Sequence, residues 1–194
     1  MWGDFMYLIK ESTPTVSVLK NYDNLSIKYS GTSVLEIVDD GIEGIVFKEV
    51  NVPKFTKDFD EYSLPSDLIG KFDLDNWKVV EVFDGELLVA GAILAFRTKA
   101  VNMLEGKDDL VVVWDIRINE SHRRLGIGSL LFEYIKDWAK KNDCKRIKIE
   151  SQNNNVRACK FYAAQGATIG SINRFAYADL PEETQIIWNI NIGE

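Results

Sequence analysis

A mixed α/β fold is what this sequence predicts, and three observations carry it. A hairpin pattern occupies 77–96, a nearly continuous β-favouring run occupies 110–118, and an amphipathic helical pattern then leads into a further strand over 146–150. Antiparallel strands thus precede a strand–helix–strand unit, and a helical crossover makes the two strands of that unit parallel.

Residues 1–32 are the least readable stretch, an N-terminal extension of the same domain in which Thr13-Pro14-Thr15 breaks a short strand from a turn or helix. Strands are expected over 34–38 and 45–50, turning at Asp39-Asp40-Gly41. A loop-rich, aromatic-rich segment follows over 55–62, able to wall a substrate cleft, then a short helix over 65–70. The hairpin strands at 77–83 and 87–96 turn on Asp84-Gly85-Glu86, and Gly91 inside the second implies a bulge or a close backbone approach. After a polar connection over 98–108 comes the central strand, Leu110 to Ile118.

The helix beyond it places Ile127, Leu130, Leu131, Tyr134, Ile135, Trp138 and Ala139 on one face. The strand over 146–150 alternates so that Ile147 and Ile149 share a face, and an asparagine cluster at 153–155 opens another helix that Gly166 closes. Two strands finish the chain, one over 167–170 continuing toward Tyr177 and one over 184–190. With 194 residues and no repeat, low-complexity tract or linker, a single domain over 1–194 is expected.

Composition narrows the partners. The net charge of −7 argues against nucleic acid, whose phosphates need a basic face, and suits a cationic substrate. No run is long and uncharged enough to span a bilayer, and the first residues carry neither a basic nor an apolar leader segment, so no membrane partner and a cytoplasmic location are expected. Cys144 and Cys159 lack metal-ligand spacing and His122 is the one histidine, so no metal is expected and the cysteines read as small packing residues.

The chemistry-bearing stretch is Arg123, Arg124, Leu125, Gly126, Ile127, Gly128 and Ser129, between the central strand and its helix. Glycines let the backbone approach a ligand, and the helix start offers unpaired N–H groups and a positive dipole end. The dipole favours an anion by only about 0.3–1 kcal/mol, so several amides and an arginine must act together to hold a pyrophosphate. The spacing matches neither a Walker A loop, which ends in Gly-Lys-Ser/Thr, nor a three-glycine dinucleotide fingerprint.

Arg123-x-x-Gly126-x-Gly128 resembles the acetyl-CoA pyrophosphate loop of the GCN5-related N-acetyltransferase (GNAT) superfamily. Asn155-x-x-Ala158-x-x-Phe161-Tyr162-x-x-x-Gly166, about thirty residues later, resembles that superfamily's second cofactor motif; the resemblance covers roughly 77–192. It implies the GNAT fold: a mixed central sheet with antiparallel N-terminal strands, a splayed parallel pair at the cofactor cleft, and helices on both faces. It also implies acetyl-CoA as cosubstrate. The backbone along Ile116, Arg117 and Ile118 would pair with the pantetheine arm, 123–129 would hold the pyrophosphate, and Asn155, Ala158 and Phe161 would contact the cofactor. Tyr162 stands where the family keeps its general acid. Asp115, Glu150 and Glu81 are open alternatives for the base, directly or through water, and for binding the substrate ammonium. Arg117 shares a strand face with Asp115, which suits a salt bridge, and His122 takes a structural position.

Further stretches resemble the streptothricin acetyltransferases: Trp114-Asp115-Ile116-Arg117, Glu150 through Tyr162, and Ile172-Asn173-x-Phe175-x-Tyr177 followed by Ile187-Trp188. This implies acetylation of the β-lysine amino group of streptothricin, a cationic small-molecule amine drawn by acidic and aromatic residues. An acetyltransferase for a polyamine or a protein amino group, or a non-catalytic acyl-CoA-binding module, are the alternatives. Pairing into homodimers through C-terminal strands is common in the superfamily.

Overall fold

The computed structural model describes residues 7–193. In chain order the strands and α-helices are β1 (Leu8–Ser12), α1 (Val16–Tyr22), β2 (Tyr29–Asp39), β3 (Ile45–Lys57), β4 (Lys78–Asp84), β5 (Leu87–Phe96), β6 (Leu110–Ile118), α2 (Ile127–Lys141), β7 (Arg146–Gln152), α3 (Val156–Ala164), β8 (Thr168–Asn173) and β9 (Gln185–Asn191). They fall into two units. The first holds residues 7–27, 59–148 and 191–193, the second 28–58 and 149–190.

In the first unit, β1, β4, β5 and β6 pair antiparallel in that order, and the start of β7 follows beside β6 at the end of the α2 crossover. Alternation along β5 sends side chains to both faces. Ile93 and Ala95 join Leu19 and Tyr22 of α1, Trp77, Val79, Leu104 and Val112 in one apolar cluster. On the opposite face, the ring of Phe96 meets Trp138 of α2 edge-on at 5.3 Å. Thr15 starts α1 by accepting the Val18 N–H.

Gly91 is where a close approach occurs. A Cβ there would lie 2.7 Å from both the Tyr22 ring and the Val80 carbonyl. In α2 the buried residues are Ile127, Leu131, Phe132, Ile135, Trp138 and Ala139, whereas Leu130, expected on the apolar face, is 40% exposed. At about 100° per residue the buried arc runs from Ile127 round to Phe132, leaving Leu130 on the far side.

In the second unit, β2 and β3 form an antiparallel hairpin that closes with Asp40 N–H donating to Gly44 C=O. The hairpin is longer than expected. β3 runs through Phe55 to Lys57, so the start of the supposed 55–62 loop is strand, because Gly31 opposite clears space for the Phe55 ring. A two-stranded sheet also tolerates Pro53, since each strand keeps one unpaired edge. The end of β7 is followed in the sheet by β9 and then β8. β8 stops at Asn173 and does not continue to Tyr177, because the Asn173 side chain accepts the Phe175 N–H at 2.9 Å and turns the chain.

Candidate functional site

The loop over 123–129 has an unusual backbone. Arg124 and Gly126 both adopt positive φ, +65° and +84°, and Gly126 opens α2. Among the described residues no side chain caps that helix start and its first turn holds no acidic residue, so its N–H groups face outward without a competing anion. Arg124, Leu125 and Gly126 are exposed. Arg123 turns the other way: its Nε donates to Ile118 C=O at 3.1 Å, fastening the loop to the end of β6. Left-handed residues beside a bare helix start form a concave set of amides suited to a phosphate, so the residues present fit a pyrophosphate.

Upstream on β6 lies a buried polar cluster. The register between β5 and β6 shifts between Asp115 and Val113, so Trp114 is an extra residue bulged from the ladder. Arg117, 3% exposed, directs Nε and Nη2 at the Asp115 carboxylate and Nη1 at both Asp60, 2.8 Å away, and the Leu25 carbonyl. Tyr22 donates its hydroxyl to Asp115 at 2.8 Å. Burial, then the neighbouring Asp115, raise the Tyr22 phenol well above its ordinary range, so it stays a donor. Two carboxylates here meet one guanidinium.

Beside it is a pocket of about 210 Å³ lined by Ser63, Leu64, Pro65, Leu68, Lys71, Phe72, Ile93, Trp114, Asp115 and Arg117. Its aromatic wall is built: Trp114 lies 5.1 Å from Phe72 and 5.3 Å from Trp77, ring centre to ring centre. The segment 63–72 lines this pocket, and Asp60, from the 55–62 stretch that could wall a cleft, pairs with its lining residue Arg117. Glu81, also in the first unit, is 2% exposed and accepts the Ser12 hydroxyl at 2.6 Å, with Lys10 at 3.9 Å. His122 has a local partner on each side, Ser121 Oγ at 2.8 Å and Asp84 at 3.5 Å.

The second unit holds the remaining predicted residues. The asparagine cluster divides its labour. Asn153 accepts the Thr184 N–H and donates to Leu35 C=O, Asn154 accepts the Tyr29 hydroxyl, and Asn155 caps α3 by accepting the Ala158 N–H. Tyr162, 5% exposed, packs its ring 5.6 Å from Phe161 and 6.3 Å from Trp188. Trp188 in turn donates to Ser151 on β7. Adjacent residues on a strand face opposite sides, so Glu150 projects away from the α3 side that Tyr162 occupies. There it accepts from Tyr177 Oη at 2.7 Å and Gln185 Nε2 at 2.8 Å.

The first unit therefore gathers Glu81, Asp115, Ile116, Arg117, Ile118 and 123–129, and the second Glu150, Asn155, Ala158, Phe161 and Tyr162. The Arg117 side chain is spent on the carboxylates, as its shared face with Asp115 suggested, so a role toward a cofactor falls to its backbone. Tyr22, Asp60, Tyr177 and Gln185 went unremarked as site residues. Tyr177 carried a signal as part of the Asn173-x-Phe175-x-Tyr177 stretch, and Asp60 as part of the 55–62 segment. Among the described residues, no cluster of three or more His, Cys, Asp or Glu is arranged to hold a metal, and no helix is long and apolar enough to cross a membrane.

Known proteins resemble this chain in sequence and in fold. Streptothricin acetyltransferase of Escherichia coli is 37% identical over 84 residues, 42% of this chain and 48% of that protein. The chain spans about half the length of the curated relatives it matches. The crystal structure of nourseothricin acetyltransferase aligns with a TM-score of 0.75 at 18% identity, covering 96% of this chain and 99% of its own. A candidate streptothricin acetyltransferase from Bacillus anthracis str. Ames, solved in complex with acetyl coenzyme A, aligns with a TM-score of 0.74 at 24% identity, covering 97% and 99%. At those identities the two structures establish the fold. The model of the acetyltransferase (GNAT) family matches residues 47–167, more than half of the 194, beginning well before the 77 at which the sequence resemblance was drawn. This chain belongs to the GNAT acetyltransferase family.

Proposed function

We propose that the protein is an acetyl-CoA-dependent N-acetyltransferase that acts in the cytoplasm on a cationic small-molecule amine, the β-lysine amino group of a streptothricin-type antibiotic, and so confers resistance. The observation that carries the acceptor class is the Asp115 carboxylate on a pocket walled by Trp114 and Phe72. Carboxylate charge and aromatic faces attract an ammonium by Coulomb and cation–π forces. The relative named streptothricin acetyltransferase supports the choice among amines.

In this reading the amides of 123–129 and the Arg124 side chain grip the donor pyrophosphate, while the Arg123 side chain holds the loop to β6. The Ile116–Arg117–Ile118 backbone aligns the pantetheine arm, and Asn155, Ala158 and Phe161 hold the donor further along. Asp115 has its oxygens engaged by Arg117 and Tyr22, so it acts as a fixed charge that draws the ammonium, with Glu81 adding buried negative charge. Glu150, with one bond donated to each oxygen, keeps a lone pair on each for a proton. The ammonium gives its proton to Glu150, directly or through water. The neutral amine then attacks the thioester carbonyl, the C–N bond forms, the C–S bond breaks, and Tyr162 protonates the departing thiolate. General acid and base steps of this kind contribute about 10²–10⁴-fold each.

Release of free CoA thiol from acetyl-CoA, followed across streptothricin, spermidine and a peptide with a free N-terminus, tests this. Turnover on streptothricin with the highest kcat/KM supports it. Turnover confined to spermidine or the peptide refutes the acceptor, and donor binding with no turnover on any amine makes the protein a binding module.

A further inference from the structure

We infer that Tyr177, in the loop between β8 and β9, is a positioning residue that fixes Glu150 for proton transfer, with Gln152 and Gln185 completing the hold. The inference rests on the acetyltransferase reading above and goes beyond it by assigning the Asn173-x-Phe175-x-Tyr177 stretch, to which that reading gives no role.

The hydrogen-bond directions are set by chemistry. Gln152 Nε2 can only donate, and it donates to Tyr177 Oη at 3.0 Å. The phenol's own proton is therefore aimed onward to Glu150 Oε1, 2.7 Å away. Gln185 Nε2 reaches the other carboxylate oxygen at 2.8 Å. Two donors thus converge on one carboxylate, from the β8–β9 loop and from β9, and a third donor, Gln152 on β7, aims the first of them. Gln152 stands two residues after Glu150 on the same face of β7, and Ser151 between them faces away, toward Trp188 and Cys159.

The charges around the cluster agree. Glu183, the other carboxylate acting on Tyr177, is buried and paired with Lys57, so its charge is balanced and the uncompensated negative charge rests on Glu150. Burial and the bond to Glu150 push the Tyr177 phenol upward, which keeps it a donor at every pH at which the enzyme would be assayed. The loop has ties other than Tyr177: it begins with the Asn173 turn, and Leu180 is half-buried. A base that must sit within a fraction of an ångström of the proton it takes requires this kind of support from neighbouring elements.

The test uses the full chain and the amine that turns over fastest. Tyr177→Phe should lower kcat by roughly tenfold, in line with loss of one hydrogen bond to a charged group, with the KM for acetyl-CoA unchanged. Without its strongest donor the carboxylate binds a proton more readily, so the acidic limb of the rate profile should move to higher pH. Glu150→Gln should remove that limb, and adding Tyr177→Phe to it should cost nothing more, because two residues acting as one unit are not additive. Gln152→Leu leaves the phenol in place but unaimed and should shift the limb in the same direction by less; it keeps the test decisive should Tyr177→Phe not fold. An unmoved limb in both single variants, or a double variant whose loss multiplies the single losses, overturns the assignment while leaving the acetyltransferase reading intact. A wild-type protein with no turnover on any amine overturns both.

Discussion

The Tyr22 hydroxyl donates to Asp115 across 2.8 Å and 93 residues of sequence, locking α1 to the carboxylate of the central strand. Its ring reaches that position by lying over Gly91, where a side chain would collide with it.

Gly91→Ala should therefore destabilise the fold by about 1–3 kcal/mol, the usual cost of overpacking. One of the two colliding atoms is the Val80 carbonyl, which a rotamer change cannot move away. Urea unfolding would show a lower midpoint with an unchanged slope.

Asp115→Ala should cost more, about 3–5 kcal/mol, because it leaves a buried guanidinium short of its main partner. Asp60, also paired with Arg117, brings the expected value toward the lower end. Thermal unfolding measures the loss, and acetyl transfer should fall even at temperatures where the variant remains folded.

Gly126→Ala forces a side chain into φ +84° at the start of α2. The strain is about 1–2 kcal/mol, and relief by rotating the backbone would turn the loop amides away. Calorimetric titration with acetyl-CoA should show weaker binding by at least the tenfold that 1.4 kcal/mol represents.

Tyr162→Phe retains the ring that packs on Phe161 and Trp188 and removes only the proton donor. Transfer should slow by about 10²-fold or more while acetyl-CoA affinity stays within twofold or so of wild type. Unchanged rates would take Tyr162 out of the chemistry.

Burial raises the Cys144 thiol from 9.0 to about 11. A group whose pKa is raised by folding adds stability that is complete below its unfolded value and is lost as pH climbs through the folded one. Stability should thus fall between pH 9 and about 11, and Cys144→Ala should remove that part of the fall. Maleimide at pH 8 should label native protein slowly at this position.

Much of the frame was legible because its signals are local. The alternation of β5, the apolar run of β6, and the glycine and asparagine starts of α2 and α3 each declare themselves within a dozen or so residues. What escaped depends on distant partners. Nothing in the stretch around Tyr22 says that its hydroxyl will meet Asp115, and Asp60 looked like one acid among several in an acidic loop. Leu130 and Phe132 differ only in which side of the helix faces the sheet, which periodicity leaves undecided by up to a third of a turn. Phe55 joined a strand because Gly31, on the partner strand, lacks a side chain. Among the candidate bases, alternation alone could not separate Asp115 from Glu150; the roles proposed for them follow the lone pairs that Arg117, Tyr22, Tyr177 and Gln185 already occupy.

The proposed reaction moves one acetyl group from acetyl-CoA to a streptothricin-type amine. Mass analysis of the antibiotic after incubation with protein and acetyl-CoA tests it most directly. A singly acetylated product is expected, with the modification on the β-lysine moiety, formed by wild type and nearly absent with Tyr162→Phe. Unmodified antibiotic alongside acetylated spermidine or peptide would contradict it.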